Sequence, residues 1–239
     1  MPYGTQIVIA GHWRSGTSVI ARTFAECGMN TGNQNTLWNN ECEAQCEHST
    51  LNMVGDTLWR GTSTMNDSWL AQEILERYNF EAENYKWSHY GIKITHFLQE
   101  PCFDVMFPIF NEKWPDAKYI VVLRNPYEVV LSTLNDRSWD TGMIMASYRS
   151  AMKGLMKLMG EKLITILCFP FCFETQIAIA ISNIGLEVKE EALTLFDLNK
   201  IKSKFDPKSD AFLEFKERYS EEIKSYKSIC FGGVRRNIF

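Results

Sequence analysis

The stretch IAGHWRSGTS, residues 9–18, decides how this chain is read. Gly11 and Gly16 enclose four residues, HWRS, which is the spacing of a phosphate-binding loop. Such a loop needs a strand before it and a helix after it. TQIVIAG (5–11) is a short β-rich run ending at Gly and reads as a buried strand. In TSVIARTFAECG (17–28), Val19, Ile20, Phe24 and Cys27 fall on one helical face, and Gly28 suits a helix stop. Both requirements are therefore met. The amides after Gly16 and the dipole of the following helix favour an anion. Thr17 and Ser18 add hydroxyl donors, and Arg14 offers a planar fork to paired anionic oxygens. A nucleoside-triphosphatase loop has Lys where this chain has Thr17.

The rest of the chain fits one α/β domain over residues 1–239. Hydrophobic residues make up 45% and charged residues 23%, as in an ordinary globular protein. The net charge of −4 speaks against a nucleic-acid partner. No apolar run reaches the ~18 residues of a membrane span. MPYGTQIVIAGHW lacks a basic segment followed by an apolar one, so no secretory leader is expected. Seven scattered Cys in a chain of this size suggest reduced thiols and a cytoplasmic protein.

Further strands are expected at HYGIKIT (89–95), KYIVVLR (118–124) and LITILCF (163–169). Helices are expected over 41–59, 65–80, 125–136 and 173–184, and from Met143 to Met159, whose methionines read as core. Residues 187–228 read as charged helix broken near FDPKSD. This alternation predicts a P-loop-like three-layer sandwich, with a central parallel sheet of four to five strands flanked by helices.

Ligands of parallel sheets gather at the carboxyl ends of the strands. KYIVVLR ends in Arg124, where a magnesium-using enzyme of this kind ends in Asp. Ser132 follows eight positions later, about two helical turns on. Two basic strand ends and no metal carboxylate call for a ligand with two separated anionic groups and no obligatory metal.

With these residues in view, a family resemblance emerges. GHWRSGTS resembles the 5′-phosphosulfate loop of sulfotransferases, and VVLRNPYEVVLS resembles their 3′-phosphate motif. ILCFPFCFETQIAIAISNIGLEV is similar to a later segment, with Phe173-Glu174 in place of the usual Tyr-Glu. The likeness spans residues 5 to about 188. It implies 3′-phosphoadenosine 5′-phosphosulfate (PAPS) as donor and adenosine 3′,5′-bisphosphate (PAP) as product. It gives Arg14, Ser15, Gly16, Thr17 and Ser18 the 5′ side and Arg124 with Ser132 the 3′-phosphate. The loop Arg resembles the carbohydrate-modifying and bacterial branches more than the cytosolic one.

The same resemblance supplies the catalytic candidates. KITH, with Lys93 and His96, is similar to the Lys-Thr-His stretch of cytosolic sulfotransferases with one residue added. At i and i+3 the two side chains need not share a strand face. Glu43, in NNECEAQCEHSTLN, stands at the Glu of a bacterial motif, with Glu41 and Glu47 as slipped alternatives. Arg14 and Lys93 are then expected to stabilise charge on the leaving group, with Glu43 or His96 as base. Arg235 and Arg236 read as a solvated tail. Cys42, Cys46 and His48, or Cys168 and Cys172, lack the usual zinc spacing, so no metal is expected. The acceptor is a hydroxyl or amine on a small molecule, carbohydrate or lipid. The alternatives are a nucleotide kinase of the same fold and a non-catalytic nucleotide-binding or interaction protein.

Overall fold

Four parallel strands form the centre of the molecule, in the order β2-β1-β3-β4. They are β1 (Thr5–Gly11), β2 (His89–Ile94), β3 (Lys118–Arg124) and β4 (Ile164–Phe169). The computed structural model describes residues 3–32, 49–62, 66–134, 139–170, 173–195 and 206–232. Its helices are α1 (Thr17–Glu26), α2 (Ser49–Arg60), α3 (Asn66–Tyr85), α4 (Glu100–Lys113), α5 (Pro126–Leu134), α6 (Thr141–Glu161), α7 (Phe173–Asn183), α8 (Glu190–Leu193), α9 (Asp210–Arg218) and α10 (Ser220–Gly232).

Ile7, Val8, Ile9 and Ala10 are all fully buried, as a strand covered on both faces requires. Val8 and Ala10 belong to a core that includes α2, α3 and α4, while Ile7 and Ile9 pack with α1 and α7. A third cluster joins α5, α6, α9 and α10 through Tyr127, Ile144, Tyr148, Phe215 and Ile223. From β1 the chain passes to β2 on one side and then to β3 on the other. The β1/β3 boundary is thus the switch point where such sheets bind ligands. Gly11 is opposite Val122, so Arg124 projects just beyond the start of the glycine loop.

The sheet has four strands among the described residues, within the expected four to five. Other expectations need correction. Helix α4 was not anticipated, because Pro108 in its interior breaks the helical sequence pattern. The methionines of α6 are not all core: Met145 is fully buried, whereas Met143, Met156 and Met159 are exposed. Cys168 on β4 is bonded to Cys230 on α10, which overturns the expectation of reduced thiols at this pair. Cys27 and Cys102 are unbridged and buried. Residues 41–48 of the expected 41–59 helix lie outside the described residues, as do Cys172, Arg235 and Arg236. No described helix is long and apolar enough to cross a membrane.

Candidate functional site

The glycine loop turns on two left-handed residues, Arg14 at φ 60° and Gly16 at φ 90°. Gly16 is required twice over. Its φ suits a residue without Cβ, and a Cβ there would lie 2.7 Å from Cδ2 of Phe169. Among the described residues the first turn of α1 receives no side-chain cap, so its amides are of the kind that can serve an anion. Ser15 is 1% exposed, and its Oγ has no hydrogen-bond partner among the described residues. A buried hydroxyl in that condition suits a ligand oxygen.

Lys93 lies on β2 opposite Ile9 and is 1% exposed; its Nζ donates to Ser18 Oγ at 2.7 Å. The strand thus delivers a buried ammonium to the start of α1. From the other side, Arg124 Nη1 donates to the carbonyl of Arg14 at 2.8 Å, and its Nε donates to Glu128 at 3.2 Å. The guanidinium also lies over the Phe169 ring, 5.0 Å from the centroid. Tyr148 Oη donates to the Arg124 carbonyl at 3.1 Å. Burial lowers the pKa of Arg124 and raises that of Glu128, in each case against the pull of the partner.

His96 enters a buried ring of hydrogen bonds whose direction follows from chemistry. The Trp13 indole N–H can only donate, so His96 Nε2 accepts from it at 3.3 Å. His96 Nδ1 then carries the proton and donates to Gln99 Oε1 at 2.8 Å. The Gln99 amide donates to Ser147 Oγ at 2.7 Å. The Trp13 carbonyl can only accept, so His12 Nδ1 donates to it at 3.0 Å, and His12 Nε2 accepts from Ser147 at 2.9 Å. Every member donates to the next, and the ring closes on Trp13. It joins the glycine loop to the turn after β2 and to α6. The close approach of α2 helps to hold it, since a Cβ on Gly55 would come within 2.7 Å of His96 Cβ.

This ring makes stability depend on pH. Burial is the main force that drives the His12 pKa from 6.5 to about 4, with the bond to Trp13 opposing it and electrostatic coupling to His96 adding to it. The unfolded chain therefore binds the extra proton first, and the contribution is full above pH 6.5 and lost as pH falls towards 4. The expected loss across that window is ~3 kcal/mol. Thermal unfolding of wild type against His12→Asn measures it: the variant should show a flatter slope between those limits, and parallel curves would refute the assignment.

Most candidate residues therefore converge. Ser15, Gly16, Thr17, Ser18, Lys93 and Arg124 meet around the β1/β3 switch point. Lys93 and His96 diverge, one towards Ser18 and the other towards Trp13. The side chain of Arg14 is exposed, while its carbonyl braces Arg124. Ser132 is half-buried on α5. Glu43, Glu41 and Glu47 lie outside the described residues. Of the tryptophans, Trp13 packs edge-on to Trp139 at 4.7 Å, Trp59 packs against the core and Trp38 lies outside the described residues. The sequence reading missed His12, Gln99, Ser147, Phe169 and Glu128. The i,i+4 spacing of Arg124 and Glu128 was a usable signal.

Sheet order, glycine loop and flanking helices together define a P-loop-like α/β fold. The structure is similar to the sulfotransferase domain of an olefin synthase from Synechococcus PCC 7002, with a TM-score of 0.52 and 13% identity. That match covers 97% of this chain and 96% of the other, so the likeness of fold runs the whole length. A sugar kinase from a Janibacter species matches with a TM-score of 0.48 and 19% identity, over 76% of this chain and 96% of the other. No family model and no curated protein matches the sequence.

Proposed function

We propose that the protein is a sulfotransferase that moves a sulfuryl group from PAPS to an acceptor hydroxyl or amine. The observation that carries this reading is the meeting of three groups at the switch point. They are a buried Ser15 hydroxyl without a partner among the described residues, the Lys93–Ser18 contact and Arg124 at the neighbouring strand end. These residues fit a donor with separated 5′ and 3′ anionic groups. Ser15 to Ser18 and the first amides of α1 hold the 5′ side, and Arg124 with Ser132 holds the 3′-phosphate.

In the reaction the acceptor oxygen or nitrogen forms a bond to sulfur as the bond from sulfur to the 5′-phosphate oxygen breaks. Lys93, with Ser18, places positive charge where that leaving oxygen gains negative charge. Arg14 reaches the same region from the loop. The acceptor proton goes to His96 or Glu43. For His96 the receiving atom would be Nε2, whose lone pair accepts from the Trp13 indole in this structure, so the acceptor would have to take the place of that bond. On this reading the Arg in the loop resembles that of the carbohydrate-modifying and bacterial branches more than the cytosolic one. Acceptors in scope are carbohydrates, lipids and small metabolites.

Calorimetric titration tests the donor reading without knowledge of the acceptor. PAP should bind at least tenfold more tightly than adenosine triphosphate with magnesium. Preference for the triphosphate would indicate a kinase, and saturation by neither would indicate an interaction protein.

A further inference from the structure

Arg124 already has an anion. The Glu128 carboxylate meets its Nε at 3.2 Å, and the two side chains are only 6% and 12% exposed. Two further contacts hold the guanidinium, Nη1 on the Arg14 carbonyl and the Phe169 ring beneath the plane. A 3′-phosphate brought to this cation therefore meets a second negative group on the same buried guanidinium. Two anions there repel strongly, because little water separates them. Glu128 lies in the first turn of α5, two residues beyond Pro126, so its backbone is held by the helix and displacement would involve its side chain alone.

We propose that Glu128 is an internal stand-in for the ligand: it neutralises Arg124 in the ligand-free protein, and the 3′-phosphate must displace it to bind. This inference rests on the donor reading above and extends it to specificity. A group that reaches Arg124 must pair better than a carboxylate does. A phosphate dianion meets that condition through its greater charge and three acceptor oxygens. A nucleotide carrying only a 5′-phosphate leaves the Arg124–Glu128 pair intact and gains nothing from it. Glu128 thereby sets a threshold that separates bisphosphates from monophosphates, at the expense of absolute affinity. The raised pKa of Glu128 agrees with a carboxylate that its surroundings compensate only in part.

Calorimetry with PAP and with adenosine 5′-monophosphate, on wild type, Glu128→Gln and Glu128→Ala, tests the inference. Both variants should bind PAP about tenfold more tightly than wild type, a change of ~1.4 kcal/mol. Binding of the monophosphate should stay within twofold. A variant that folds but binds PAP equally or more weakly overturns the inference, since Glu128 would then act as a brace that orients Arg124. A readout on the unaltered protein guards against variants that fail to fold. With glutamate labelled by ¹³C at the carboxyl, the Glu128 resonance should shift on saturation with PAP and not with the monophosphate; no shift with PAP overturns the proposal. Wild type that binds PAP no better than the monophosphate refutes the 3′ role of Arg124 itself, an outcome distinct from a PAP-selective protein with a passive Glu128.

Discussion

Replacement of Arg124 by alanine should reduce affinity for PAP at least a hundredfold, ~2.7 kcal/mol, while affinity for adenosine 5′-monophosphate falls less than threefold. The asymmetry follows from position. Arg124 ends β3 and touches the loop through a main-chain carbonyl, so its charge serves the 3′ side. The same change should lower stability by about 3 kcal/mol, because it strands Glu128 as a buried charge. The double variant Arg124→Ala/Glu128→Ala separates the two effects. Thermal unfolding should recover most of the lost stability, while calorimetry should leave PAP affinity well below that of wild type. Equal loss for PAP and monophosphate would reject the 3′ assignment.

Gly16→Ala should be nearly as damaging. A residue with Cβ at φ 90° is strained, and the new methyl meets the Phe169 ring at 2.7 Å. Together these should cost about 2–4 kcal/mol in unfolding free energy. The functional loss should be larger than the stability loss suggests. Phe169 lies under Arg124, so a ring pushed aside moves the guanidinium as well as the loop. PAP binding should become undetectable at micromolar concentrations. Gly160→Ala serves as the control: nothing lies within 4 Å of a Cβ there, and the site is in helix α6, so it should be neutral or slightly stabilising. Similar loss in both variants would remove Gly16 from any special role.

What the sequence revealed and what it hid differ in physical range. β3 runs from Lys118 to Arg124 as its apolar, β-branched run predicts, and the β1–loop–α1 unit follows from local signals alone. Strand ends then placed Arg124 and Lys93 near the loop through a general rule for parallel sheets. Helix α4 escaped notice because Pro108 reads as a breaker; the structure accommodates it within a helix whose Cys102, Phe103, Met106 and Phe110 are buried. The ring of His12, Trp13, His96, Gln99 and Ser147 had no local signature. Its members are up to 135 positions apart, and only the docking of α6 beside the loop brings Ser147 to His12. Glu128 lay in plain view, yet its meaning depended on burial, which spacing does not convey. The Cys168–Cys230 bridge, with a sequence separation of 62, was equally illegible.

The place of β1 between β2 and β3 has a consequence for how the protein is made. β1 is an interior strand, and both of its partners follow it much later in the chain. Until residues 118–124 emerge, one edge of an apolar strand stays open to wrong pairings. The contact between Arg124 and the Arg14 carbonyl closes a separation of 110 residues, which makes the binding site a late product of folding. A nascent chain halted before Lys118 therefore carries the whole glycine loop and still lacks one wall of the site. Capture of the anion begins only when the third strand docks.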